Sequence, residues 1–105
     1  MRAGEFLAAV RRHLPPEATF TERQLHYWTA QQWIAVHHHD EAGNAVPGPG
    51  GSGRPTIYDE RDAWTVAIAA LAVNVTGMNP DSAMQLARAG GVPLHAHLRI
   101  LLSER

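Results

Sequence analysis

The sequence contains no cysteine and no lysine, and its nine basic residues are all arginine. The absence of cysteine excludes disulfides, thiolate metal ligands and cysteine nucleophiles together. Ten acidic residues oppose the nine arginines, so the formal net charge is −1. Composition alone therefore gives no electrostatic indication of a nucleic-acid partner.

Long apolar runs are also missing. The longest apolar stretch, residues 63–75, is interrupted by Thr65 and Asn74, and it is shorter than the ~18 residues expected of a membrane span. The first residues lack the apolar core of a secretory signal. We therefore expect a cytoplasmic protein with no membrane partner, folded as a single domain over residues 1–105.

Two helices are predicted in the first third of the chain. Apolar residues at helical spacing over residues 3–14 indicate the first helix, and the proline pair that follows must end it. Thr21 followed by Gln24 forms a capping-box pattern, which predicts a second helix over about residues 22–32.

Two short β-prone runs follow, at residues 33–36 and 56–58. The segment between them, residues 40–53, contains five of the nine glycines and two prolines. Such a composition favours a flexible connection over a packed element. We therefore expect a two-stranded hairpin, or wing, with a mobile tip.

The second half of the chain is predicted to be helical. Asp59 is a candidate cap for a helix that ends near Gly77, and Asn79 followed by Pro80 opens a fourth helix that stops at the glycine pair 90–91. Periodicity leaves the tail, residues 92–105, undecided, and it is a candidate for self-association. The third helix is apolar nearly all round, which indicates burial in the core or against a second copy. A homodimer would use Trp64, Ile68, Leu71 and Met84.

Three segments resemble the MerR family of winged helix–turn–helix DNA-binding proteins, in the short form typical of actinobacteria and their phages. They are the second-helix pattern over residues 21–28, the strand pattern over residues 51–58 with the acidic residues that follow, and the turn over residues 77–80. The resemblance implies a mostly helical α+β fold, with a two-stranded wing and additional C-terminal helices. It places Gln32 where the family usually has glycine, and a left-handed backbone there costs about 1 kcal/mol.

The function implied by this resemblance is DNA binding, most simply in transcriptional regulation. A recognition helix presents its first residues to base edges, so the expected contacts are made by Glu22, Arg23, His26 and Tyr27. Arg54 would contact DNA from the wing, and Arg11 and Arg12 would clamp phosphates. Two alternatives remain open: an excisionase-type factor that bends DNA, and a module that regulates a protein partner without binding DNA.

Three consecutive histidines, residues 37–39, precede the glycine-rich segment. In a strand, His37 and His39 would share one face and could share a metal, with further ligands from Asp40, Glu41, His95 or His97. Consecutive histidines beside a loop are more often merely exposed, so we expect no metal and no cofactor. No spacing of histidine, serine and carboxylate residues indicates a catalytic arrangement, and we expect no enzymatic activity.

Overall fold

A computed structural model describes residues 1–51 and 53–104. The fold is α+β and mostly helical, and its elements in chain order are α1 (Ala3–Arg12), α2 (Glu22–Ala30), β1 (Val36–His39), β2 (Ala45–Pro47), β3 (Ile57–Tyr58), α3 (Asp62–Thr76) and α4 (Pro80–Ser103). Helix α3 forms the centre of the core, and it packs along α4 on one side and α1 on another.

Helix α2 begins as the sequence predicts. The Thr21 hydroxyl accepts a hydrogen bond from the Gln24 amide at 3.1 Å, and the Gln24 side chain accepts one from the Thr21 amide at 2.8 Å. Asn74 of α3 holds the segment between α1 and α2. Its side-chain amide donates a hydrogen bond to the Thr19 carbonyl at 3.0 Å. Asn74, one of the two polar residues that interrupt the apolar α3, therefore holds the segment that leads into α2.

The sheet has three antiparallel strands, where the sequence predicted two. Strand β1 is central, and β2 and β3 pair on either side of it. The additional strand, β2, lies inside the predicted flexible tip. A tight turn returns the chain to β1: the Asp40 carboxylate accepts hydrogen bonds from the amides of Ala42 and Asn44, and Gly43 takes the left-handed conformation with φ +84°.

Helix α3 begins two residues later than the sequence predicted, with Arg61 in place of Asp59 as the residue before the helix. Asp59 does not cap the helix, because its carboxylate accepts the Arg61 amide at 3.0 Å and pairs with the Arg61 guanidinium at 2.7 Å. These hydrogen bonds from Arg61 lower the pKa of Asp59 to about 2. Asp59 thus stabilises the turn that precedes α3, and Asp62 is the first helical residue.

The fourth helix continues through the predicted stop. Asn79 caps it as expected, with its side chain accepting the Asp81 amide at 2.8 Å. At Gly91 the backbone leaves helical geometry, with φ 59° and ψ −150°, a combination almost confined to glycine. The chain then resumes a helix, so the undecided tail is helical to Ser103.

The predicted dimer residues mostly lie inside the chain's own core. Ile68, Leu71 and Met84 are each exposed by 2% or less, and Trp64 is half-buried. The apolar surfaces of Ile68, Leu71 and Met84 are already covered within the chain, so a second copy could not reach these three side chains without opening the core. Among the described residues, no helix combines the length and apolar character needed to cross a membrane.

Candidate nucleic-acid interface

Helix α2 has one buried and one exposed face. Leu25, Trp28 and Thr29 are buried against the rest of the chain. Glu22, Arg23, His26 and Tyr27 are all exposed, and Tyr27 retains 54% of its surface. The four residues that the sequence singled out at the start of α2 therefore lie together on the solvent side of this helix.

The charged side chains on the exposed face of α2 differ in whether another side chain contacts them. His26 Nε2 lies 3.4 Å from the Glu22 carboxylate one turn earlier, which forms an ion pair only when the imidazole is protonated. The Arg23 side chain makes no hydrogen bond or ion pair with any other residue in the described part of the chain. The Arg23 guanidinium is therefore unpaired among the described residues, and it is available to a ligand that approaches this face of α2 from solvent.

The end of α2 is fixed by a Schellman motif. The Gln32 amide donates to the Thr29 carbonyl and the Trp33 amide to the Trp28 carbonyl, each at 3.0 Å. Gln32 takes the left-handed conformation, with φ +63°. The Trp33 ring then packs edge-on against Tyr27, with the centroids 5.5 Å apart. Tyr27 is thus exposed but oriented by its neighbour.

A groove of about 500 Å³ lies beside the exposed face of α2. Its walls are the start of α1 with Arg2, the α2 residue His26, and residues on either side of the glycine-rich turn, Pro49, Gly50, Pro55 and Thr56. The Gly50 amide donates to the Thr56 hydroxyl at 2.9 Å, and a Cβ at Gly50 would overlap the Arg54 carbonyl. Sequence reasoning missed Arg2, because only tertiary packing brings α1 beside α2.

Two of the other three predicted arginines, Arg54 and Arg11, have side-chain partners of their own. Arg54 pairs with Glu41 at 3.3 Å on the surface of the wing. Arg11 donates to the Phe20 carbonyl at 3.1 Å, which places it near the beginning of α2 and gives it a structural contact. Arg12 is exposed at the end of α1. Exposed pairs such as Arg54–Glu41 contribute roughly 0.2–1 kcal/mol, so a phosphate group could displace Glu41.

The histidine run lies on β1. The rings of His37 and His39 are neighbours, with centroids 5.5 Å apart, whereas the His38 ring bonds to the Gly48 carbonyl at 3.0 Å. The further ligands considered from the sequence do not join them: Asp40 is used in the turn, Glu41 pairs with Arg54, and His95 and His97 are on α4. Within residues 1–51 and 53–104, no three potential ligands converge on one point.

An aromatic cluster that the sequence did not predict joins α1, α3 and α4. The Trp64 ring lies between the rings of His13 and His95, with centroid distances of 4.3 and 4.4 Å. His95 Nε2 donates to the His13 carbonyl at 2.7 Å. Burial lowers the pKa of His13, and the nearby His95 and Arg12 lower it further. Helical spacing on α4 is the only sequence signal that could have placed His95 inward.

Comparison of the chain with protein-family models, with curated proteins and with solved structures found no match.

Proposed function

We propose that the chain is a DNA-binding protein that acts as a transcriptional regulator, with a MerR-like winged helix–turn–helix in which α2 enters the major groove. The observation that carries this proposal is the exposed face of α2, on which Arg23 has no partner within the described residues. A short capped helix with free polar groups at its start has the form that major-groove recognition requires.

Arg23 is the residue on which specificity depends. A free guanidinium donates two parallel hydrogen bonds to the O6 and N7 atoms of guanine, a contact that discriminates by about 1–3 kcal/mol against the wrong base. We expect Tyr27, exposed on α2, and Arg54, on the wing, to contact phosphate groups. The groove of about 500 Å³ that Arg2 and His26 line lies next to this face of α2, and we expect it to take part of the nucleic-acid backbone.

The charge balance sets a limit on how the protein binds. Residues 1–58 carry five arginines and five acidic residues, so this half is neutral. Non-specific attraction to phosphate should be weak, because that attraction comes from the release of counterions by basic groups. Binding must therefore depend on a few directed contacts and on a preferred sequence.

The test is selection from a pool of duplexes with a randomised centre, followed by fluorescence anisotropy on the enriched duplex at two salt concentrations. We expect enrichment of a defined site and an affinity that falls as salt rises. Arg23→Ala should cost about 1–3 kcal/mol and relax the preference at one base pair.

Arg99→Ala is the matched control, because it removes the same charge from an exposed position on α4. It should leave the affinity for the enriched duplex within about twofold of wild type. Equal, weak binding of all duplexes by wild type and Arg23→Ala would refute the proposal. In that event, capture of a protein partner would favour the interaction-module alternative.

A further inference from the structure

We propose that His37 and His39 form a two-imidazole site for a divalent transition-metal ion of the zinc–copper class. The two residues are separated by one position on β1, so their side chains leave the same face of the strand. Their ring centroids are 5.5 Å apart. Two imidazoles that bind one zinc ion at ~2.1 Å have centroids about 5 Å apart, so binding needs only a small rotation of the rings.

The second argument is the hydrogen bond of His39. Its Nδ1 lies 3.3 Å from the Gly43 carbonyl oxygen. A carbonyl only accepts, so Nδ1 carries the hydrogen and Nε2 keeps its lone pair free for a metal. Metal-binding histidines in proteins almost always donate their second ring nitrogen to a carbonyl or carboxylate in this way.

The Gly43 carbonyl is itself held in place. Gly43 donates its amide to the Asp40 carbonyl at 3.0 Å, and the Asp40 side chain accepts the amides of Ala42 and Asn44. The turn is therefore ordered by hydrogen bonds that do not involve either imidazole. His39 is oriented before any metal arrives, which reduces the cost of binding.

The ligand chemistry limits which ion the site accepts. Imidazole nitrogen suits zinc, copper and nickel, whereas magnesium and calcium require oxygen ligands. Asp40 and Glu41 are engaged elsewhere, so water completes the coordination shell. His39 is exposed and His37 half-buried, which leaves the pair accessible to an ion from solvent. This inference does not depend on DNA binding.

His38 provides a matched control on the same strand. Its side chain leaves the opposite face, and its Nδ1 bonds to the Gly48 carbonyl at 3.0 Å. The substitution His38→Asn therefore removes one imidazole from the same run of histidines and leaves the proposed ligands, His37 and His39, in place. His97, exposed on α4, is a second control outside the wing.

The experiment is calorimetric titration of the metal-free chain with zinc chloride at pH 7.5, with circular dichroism to verify that each variant is folded. We expect one zinc ion per chain. His37→Asn and His39→Asn should each weaken binding by at least about tenfold, and His38→Asn and His97→Asn should not.

Three outcomes would overturn the proposal. The first is the absence of saturable zinc binding by the wild-type chain. The second is unchanged affinity in folded His37→Asn and His39→Asn variants. The third is an equal loss in His38→Asn, which would mean that the run of histidines binds zinc regardless of which face of β1 each one occupies.

Discussion

The hydroxyl groups of Tyr58 and Thr29 lie 2.8 Å apart in the core, where β3 meets α2. Thr29 already donates its single hydroxyl hydrogen to the Leu25 carbonyl at 2.7 Å. Tyr58 must therefore be the donor in the bond between the two hydroxyls. The Tyr58 ring also stacks on Phe6 of α1, with the centroids 4.7 Å apart. One side chain thus connects α1, the exposed helix α2 and the strand that ends the wing.

Tyr58→Phe should destabilise the fold by about 1 kcal/mol, the usual net contribution of a buried hydrogen bond. The substitution keeps the aromatic ring and its stack on Phe6, so the loss reports the hydroxyl alone. The measurement is the free energy of unfolding from urea titration followed by circular dichroism. Tyr27→Phe removes a hydroxyl from an exposed ring and should change stability by less than about 0.5 kcal/mol. Equal effects of the two substitutions would contradict the structural role of Tyr58.

The same side chain predicts a decline of stability in alkali. Burial raises the pKa of Tyr58 above its ordinary value of 10. The unfolded chain then loses the phenolic proton more readily than the folded chain. The contribution of the Tyr58 phenol to the free energy of unfolding is therefore fully present below pH 10, and it is lost as the pH rises above 10. Unfolding free energies compared at about pH 9 and about pH 11 should fall more for wild type than for Tyr58→Phe. If the unfolding free energies of wild type and Tyr58→Phe fall by the same amount, groups other than Tyr58 cause the loss of stability in alkali.

Local signals determined which elements the sequence could predict. The start of α2 was predicted correctly because Thr21 and Gln24 are three residues apart and need no other part of the chain. Strand β2 was missed because its three residues, Ala45–Pro47, have no alternation and exist only through pairing with β1. The late start of α3 was missed because Arg61 competes for the carboxylate of Asp59.

Gln32→Gly should stabilise the protein by about 1 kcal/mol. Gln32 has φ +63°, and a side chain in the left-handed region costs roughly 1–2 kcal/mol, part of which the greater freedom of unfolded glycine offsets. The hydrogen bonds of the Schellman motif use only backbone atoms, so glycine retains them. The melting temperature and the urea midpoint should both rise.

The neighbouring glutamine provides the control for this substitution. Gln31 has φ −80°, where glycine has no conformational advantage. Gln31→Gly should therefore lower stability by roughly 0.5–1 kcal/mol, through the greater entropy of the unfolded chain. A loss of stability in both variants would show that the Gln32 side chain makes a contribution larger than the backbone strain.

The candidate interface was only partly predictable for the same reason. The resemblance to a recognition helix singled out Arg23, His26 and Tyr27 at the start of α2, and all three are exposed in the folded chain. Two features required the folded chain: Arg2 reaches the groove beside His26 through the packing of α1, and Arg54 meets Glu41 across the wing. Neither proximity leaves a trace in sequence spacing, because each joins elements that are distant along the chain.

Because His13 packs on Trp64 beside His95, we expect the stability of the folded chain to decline in mild acid. Burial lowers the pKa of His13 below its ordinary value of 6.5, and the neighbouring His95 and Arg12 add to the effect. The unfolded chain therefore takes up the proton more readily, so the contribution of His13 is complete above pH 6.5 and is lost as the pH falls below it. Unfolding free energies measured from pH 8 to pH 5 should show this decline in wild type and less of it in His13→Gln. His97→Gln, at an exposed position on α4, should decline as wild type does, and a flattened profile in that variant would assign the effect to a different histidine.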